Sequence, residues 1–336
     1  MITIKMIASR CCVSIATVSK ALNYESDISA ETARHVRSVA KEMGYLPNAA
    51  ARALKTRRAH NLAILTHLSN TSGLRHEYIS GIISAIQMRA EDVGYDVTFL
   101  SRRIRGMAEG YVDHCRYRGF DGVVMVCTDV NDEGVSELIA SDVPLVSVDE
   151  SYAGHGLIAT DNIASMSELT SYIIEKGHRN IAWISGEPDR TVTKQRKIGF
   201  TEALQRHGVS FRPELLKTSL YHDAANAAQI TEELLRLPQP PTCIMFPDDY
   251  SAIGAMEQLE ERGVKIPRDI SIAGFDGILV SRMIRPQLTT LAQDAESIGR
   301  EAVDMLLDAV NNPRTYTPRT VLLPGKLITG GSVAKV

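Results

Sequence analysis

Two patterns of apolar positions divide the chain. At the amino end the period is helical. Ile4, Ile7, Ala8 and Cys11 share one face, then Val18, Ala21 and Leu22, then Val36, Val39, Ala40 and Met43. From Leu62 onward the pattern changes to short apolar runs, at 62–68, 97–100, 123–127, 144–148, 157–160, 181–185, 243–246 and 270–273. These read as strands, and helical stretches lie between most of them. Several stretches stop at glycine, as in Gly94-Tyr95, Gly177-His178, Gly208-Val209 and Gly263-Val264. Repeated β-α-β units predict parallel sheets with helices on both faces. Roughly 275 residues exceed what one such sheet needs, so two α/β subdomains are expected.

The amino-terminal helices have recognisable ends. Thr3, Ser14 and Ser29 stand where side-chain caps are needed, and Gly44-Tyr45 closes the third helix. Two short helices joined by a tight turn and braced by a third form a helix-turn-helix unit. An α-helix fits the major groove of DNA, with the start of the second helix facing base edges. Ile15, Ala16, Thr17 and Lys20 are the candidates for that contact. Ser14, Thr17, Ser19 and the helix-start N–H groups suit phosphates. A small bundle for protein contacts is the alternative on pattern alone.

Charge favours DNA. Residues 1–60 carry ten Lys/Arg against four Asp/Glu, while the rest carry 27 against 36. The net charge of −3 thus hides a basic end on an acidic body. The 44% hydrophobic and 23% charged composition excludes intrinsic disorder. No apolar run approaches the ~18 residues of a membrane span. No secretion signal opens the chain, and five cysteines without a C-x-x-C pair suggest neither disulfides nor zinc. A cytoplasmic protein without cofactor or metal is expected. Trp183, Cys115, Cys127 and Cys243 read as core.

In parallel sheets ligands bind beyond the carboxyl ends of the strands. Asp149, Asp161-Asn162, Asp248-Asp249 and Asp276 stand at such ends, and Arg190, Arg196 and Tyr221 follow others. Carboxylates and guanidinium groups facing one cleft can each grip adjacent hydroxyls. Enzyme motifs fail. Gly154-His155-Gly156-Leu157-Ile158-Ala159 fits G-x-G-x-x-A but precedes a strand, and no P-loop, nucleophile elbow or H-E-x-x-H occurs. Without a nucleophile or metal spacing, Asp248-Asp249 does not indicate catalysis. A transport binding protein is disfavoured by the basic head.

Thr3-Ile4-x-x-Ile7-Ala8, Val13-Ser14-x-x-Thr17-Val18-Ser19-x-x-Leu22-Asn23 and Gly44-Tyr45-x-Pro47-Asn48-x-x-Ala51-x-x-Leu54 resemble the head of the lactose/galactose repressor (LacI–GalR) family. The resemblance implies base readout by Ile15, Ala16 and Lys20. It implies further DNA contacts at Thr3, Ser14, Thr17, Ser19 and Asn23. It also implies a hinge helix that forms on operator DNA, with Asn48, Ala51, Arg52 and Lys55 beside a minor-groove wedge at Leu54. From composition alone, this short Ala-rich stretch reads as a linker. Met6 stands where the family usually has Asp, and Cys12 where it often has Gly or Asn.

The resemblance continues through Asp161-Asn162, Arg196-x-x-Gly199-Phe200, Gly274-Phe275-Asp276 and Pro286-x-Leu288-Thr289-Thr290. It implies two doubly wound parallel-sheet subdomains of periplasmic-binding-protein type behind a small all-α head. The boundaries expected are 1–47 for the head, 48–60 for the hinge and 61–336 for the body. Within the body, 61–160 pairs with 293–322 and 161–292 with 323–336. Arg196 and Asp276 lead the implied effector contacts, followed by Asp248, Arg190, Tyr221, Asp149 and Asp161. His76 and Glu77 sit where the first helix often contributes, although 72–77 lacks the family's usual aromatic pair. Gly330 stands where Arg is frequent.

The expected function is a homodimeric repressor of near-palindromic operator DNA. A small-molecule effector, a sugar before a purine or phosphorylated metabolite, would control it. If Leu54 is the wedge, Leu54→Ala weakens operator binding sharply and leaves effector binding intact. Gel-shift and calorimetric titrations of the variant check this, and unchanged operator affinity counts against the wedge.

Overall fold

The computed structural model describes residues 2–25, 27–46, 58–67, 73–103, 110–129 and 131–336. The hinge residues Asn48, Ala51, Arg52, Leu54 and Lys55 lie outside the described residues, as do Pro47, Leu68 and Ser72. The chain divides into two compact units, 1–59 and 60–336.

The first unit holds α1 (Ile4–Cys11), α2 (Ile15–Leu22) and α3 (Ala30–Glu42). Ile7, Cys11, Val18, Ala21, Val36 and Val39 meet in its core, as the helical periodicity requires. Each helix start is capped by a hydroxyl. Thr3 accepts from the Met6 N–H, Ser14 from Thr17 and Ser29 from Thr32. Cys12 ends α1 in the left-handed region at φ 54, and the next N–H, on Val13, returns to the Ala8 carbonyl at 3.1 Å. A side chain in that conformation costs about 1 kcal/mol, the reason glycine or asparagine suits this turn. At the end of α3, Gly44 takes φ +68 and the Tyr45 N–H donates to the Ala40 carbonyl.

The second unit contains two six-stranded sheets among the described residues. In chain order its elements are β1 (Asn61–Thr66), α4 (Glu77–Asp92), β2 (Asp96–Phe99), α5 (Tyr111–Arg118), β3 (Gly122–Val126), α6 (Glu133–Ile139), β4 (Leu145–Val148) and β5 (Gly156–Thr160). Then come α7 (Asn162–Glu175), β6 (Ile181–Ser185), α8 (Thr191–Arg206), β7 (Leu216–Thr218), α9 (Ala224–Leu235), β8 (Cys243–Met245), α10 (Asp249–Glu261) and β9 (Ser271–Asp276). The rest are α11 (Leu279–Met283), β10 (Thr289–Ala292), α12 (Ala295–Asn311), β11 (Thr320–Leu323) and β12 (Lys326–Ile328).

The sheet orders are β11-β5-β4-β3-β1-β2 and β12-β10-β9-β8-β6-β7. Every pairing is parallel except β10 with β12. The chain crosses from one sheet to the other three times, after β5, after β10 and after β11.

Burial on both faces explains the continuous apolar runs. Along β1, Leu62 and Ile64 face α4 and α12, while Ala63 and Leu65 face α5 and α6. In the second sheet, Ile184 and Ile244 pack on α9 and α10, and Trp183 and Met245 pack on α7 and α8. Trp183 is core, in ring contact with Phe200.

The sequence pattern missed β7, β10, β11 and β12. β7, β11 and β12 are short sheet edges without full burial, so they carry no unbroken apolar signal. β10 begins with Thr289 and Thr290, both fully buried, whose hydroxyls are bonded to the Gly330 carbonyl and the Asp249 carboxylate. Cys127 also departs from expectation. It is only partly buried, sits at φ 51 just past β3, and lines the cleft while packing against the edge of the first core. At Gly330 a Cβ would stand 2.2 Å from the Gln287 carbonyl oxygen, so an arginine does not fit this backbone.

Close approach of α4 and α12 closes the first core. A Cβ on Gly299 would meet Ala85 Cβ and the Ile82 carbonyl oxygen at 2.6 Å. Gly299→Val is therefore expected to destabilise by about 1–3 kcal/mol through overpacking. The guanidinium unfolding midpoint reads this, and a midpoint equal to wild type would show that the helices separate freely.

Candidate functional site

On the head, the start of α2 is open to solvent. Ser14, Ile15 and Ala16 are exposed, and Ile15, at 48% exposure, is an apolar side chain the core does not use. The Ser14 hydroxyl lies 2.9 Å from that of Thr17 and accepts the Thr17 N–H at 3.0 Å. Thr17 and Ser19 are partly buried on the same short helix, and Thr3 is exposed at the start of α1. The Asn23 amide donates to the Ser19 hydroxyl. Lys20 is not idle, because it pairs with Asp27 in the link after α2. Both partners are solvent-exposed, and such pairs are weak enough for a phosphate or a guanine edge to displace the carboxylate. Arg37 lies over the Tyr24 ring at 4.5 Å and braces the turn after α2.

In the second unit a cleft of about 510 Å³ opens at the carboxyl ends of both sheets. It gathers Asp149 after β4, Arg190 and Arg196 at and within the start of α8, Tyr221 after β7 and Asp276 at the end of β9. Arg196 is the anchor. It is 5% exposed, donates to Asn162 Oδ1 at 2.8 Å and the Pro247 carbonyl at 2.9 Å, and lies 3.6 Å from the Phe275 ring centroid. Tyr221 Oη is 2.8 Å from Thr193 Oγ1. Asp276 accepts from Gln293 Nε2 at 2.7 Å.

The other predicted residues sit outside the lining. Asp161 caps α7 through the Ala164 N–H, and Asp248 caps α10 while accepting the His222 N–H at 2.8 Å. Glu77 is exposed and accepts the Leu279 N–H at the start of α11. His76 is buried behind the wall, its ring centroid 3.8 Å from that of His222.

The cleft also contains residues that sequence reasoning passed over, including His67, Tyr78, Thr128, Glu150, His222 and Gln293. Most stand beside a named residue or directly after a strand. Counting two positions past the ends of β3 and β4 would have found Thr128 and Glu150, and His222 directly follows the named Tyr221. Gln293 directly follows β10, which the pattern missed, and Tyr78 lies on α4, which only the tertiary fold brings to the cleft.

Contacts cross the cleft. Arg190 donates to the Thr128 carbonyl at 2.8 Å, and Glu150 accepts from the Thr191 hydroxyl at the start of α8. Glu77 does the same for α11. Two carboxylates of one lobe thus sit at helix N-termini of the other, where partial positive charge favours them.

Burial sets the electrostatics. It pushes the Asp149 carboxyl up to about 6, against the pull of the Tyr78 hydroxyl, 2.8 Å away, and of Arg196. It raises Asp276 well above the usual range, with Arg196 opposing and Asp249 adding to the rise. Burial also depresses His76 to about 3 and His222 to about 4, so neither ring is charged at neutral pH. The 3.5 Å approach of His76 Nε2 to Asp276 Oδ2 is therefore not an ion pair.

Asp149 ionises near pH 6 in the folded protein and near 4 in the unfolded chain. The unfolded state releases its proton first, so this group lowers stability as pH rises from 4 through 6, and the loss is complete above 6. Asp149→Asn removes the charge, can keep the Tyr78 bond, and suits the φ of 66 at this position. The variant is expected to melt higher than wild type at pH 8 and equally at pH 4. Thermal unfolding at the two pH values checks this, and an equal difference at both would refute it.

Comparison with known proteins agrees with this geometry. Residues 3–48 match the family "Bacterial regulatory proteins, lacI family", and residues 170–333 match "Periplasmic binding protein-like domain". The chain is 30% identical over 310 residues to the HTH-type transcriptional repressor CytR of Escherichia coli (strain K12), covering 91% of this chain and 89% of the relative. Its fold is similar to that of the lac repressor dimer bound to operator and the anti-inducer ONPF (TM-score 0.80, 25% identity, 99% of each chain). It is similar also to the CelR–cellobiose complex of a transcriptional regulator (TM-score 0.71, 25% identity, 99% of this chain and 100% of that one). With an exposed α2 start on one unit and a polar cleft between twin parallel sheets in the other, the chain belongs to the LacI family of bacterial transcription regulators.

Proposed function

We propose that the protein is a homodimeric repressor acting in the cytoplasm, with operator affinity set by a sugar bound in the cleft. The observation that carries the DNA half is the exposed start of α2. A complete core beneath it leaves Ile15 and Ala16 for thymine methyls, Lys20 for a guanine, and Ser14, Thr17 and Ser19 with Thr3 and Asn23 for the backbone. A twofold dimer presents two such helices to half-sites of a near-palindrome. Among the described residues no helix is long and apolar enough to cross a membrane.

The cleft supports a polyhydroxylated effector. Asp149, Arg190, Arg196 and Asp276 offer paired acceptors and donors, and Tyr221 offers a ring face. The CelR relative is named as a cellobiose complex, in keeping with a sugar. An effector held between the lobes stabilises the arrangement in which Glu150, Glu77 and Arg190 reach across. It changes DNA affinity only through different affinity for the closed and open forms.

The test combines a thermal-shift screen of sugars, sugar phosphates and nucleobases with operator selection from genomic fragments. Operator affinity should fall steeply with salt, and Lys20→Ala should reduce it. Arg190→Met should weaken the hit's binding by about 1.5–3 kcal/mol while the unliganded variant still binds operator. A salt-independent interaction, or a hit that leaves operator affinity unchanged, would overturn the reading.

A further inference from the structure

We propose that His76, His222 and Asp276 form a binding site for a divalent metal ion of the zinc type, joining the two lobes at the cleft. One potential ligand atom from each residue lies within 4.8 Å of the others. His76 Nε2 and Asp276 Oδ2 are 3.5 Å apart. Adjacent ligands of a tetrahedral zinc with bonds of about 2.0–2.1 Å stand roughly 3.3–3.5 Å from each other, so this edge is already at the required length. Two imidazoles and a carboxylate are a ligand set for zinc, with a fourth position left for water or an incoming ligand.

The second observation is His76 itself. It is 1% exposed, yet neither ring nitrogen has a hydrogen-bond partner. A buried imidazole normally satisfies at least one nitrogen, as His178 does with Thr242 Oγ1 and the Ala334 carbonyl. His76 instead faces His222, Tyr250 and Asp276.

The surroundings hold the other two groups in place. Gln293 Nε2 occupies Asp276 Oδ1 and leaves Oδ2 toward His76, and Asp248 fixes the backbone at His222. His76 precedes α4 in the first lobe, whereas His222 and Asp276 belong to the second. A bound ion would therefore tie the lobes together. Asp276 and His222 also line the cleft, so ion and effector would share this wall, and the zinc titration is read without effector.

The test uses the full chain freed of metal by chelator dialysis, then titrated with zinc chloride alone against a chromogenic chelator. One ion per chain is expected, with a raised melting temperature. Cobalt chloride should give visible ligand-field bands without thiolate charge-transfer intensity, which separates this site from Cys11 and Cys12. His76→Asn and His222→Asn should each weaken zinc by ~100-fold or more, whereas Cys12→Ser should not. The cobalt spectrum of the unaltered chain is read even if a variant fails to fold. Absence of stoichiometric uptake, thiolate bands, or zinc affinity that survives both histidine substitutions would overturn the site. Metal-free protein that binds operator but no zinc would refute this site and leave the regulator reading standing.

Discussion

One buried guanidinium organises the cleft. Arg196 is nearly inaccessible, and its charge favours the ionised forms of Asp149, Asp276 and Tyr221, against their burial, while helping to keep His222 neutral. Burying a cation without partners is costly, and here the cost is offset by Asn162, the Pro247 carbonyl and the Phe275 ring. Those partners come from the start of α7, the segment after β8 and β9, so three separate elements of the second lobe hold the charge. On the carboxylates around it, burial and this charge act in opposite directions.

The same logic extends across the lobes. Glu150 and Glu77 leave the first lobe to sit on helix starts of the second, and Arg190 returns the contact to Thr128. None of these contacts has the apolar area of a core. They are polar, partly exposed and reversible, whereas the cores on either face of each sheet are continuous and fixed. Relative motion of the lobes therefore breaks a few hydrogen bonds and leaves both sheets intact, as ligand-controlled switching requires.

Much of this was legible in the sequence because sheets buried on both faces declare themselves. The runs at 123–127 and 181–185 have no other use, and the hydroxyl caps of the head mark its helices to within a residue. The Arg196 and Asp276 positions were legible from the family resemblance and from strand ends. Illegible were strands whose apolarity is replaced by satisfied hydroxyls, such as Thr289 and Thr290. Cys127 was read only in part, because a small sulfur side chain looks alike in a core and on the cleft wall that it also lines. Glu77, Asp161 and Asp248 carry the chemistry of a binding site but serve as helix caps in the structure. The sequence could not show which carboxylates the backbone had already engaged. His76 was noticed for its position, but its lack of a partner is a fact of three dimensions alone.

The three crossings between the sheets fix an order of assembly. The head has its own core and can fold as soon as it leaves the ribosome. The first lobe cannot, because Val303, Leu306 and the other residues of α12 that complete its core, and its edge strand β11, arrive only after the entire run of β6 to β10 has been synthesised. The nascent second lobe must fold while the first is still unfinished. A chain cut short before Ala295 thus keeps its DNA-reading end and most of the second lobe, but loses closure of the first.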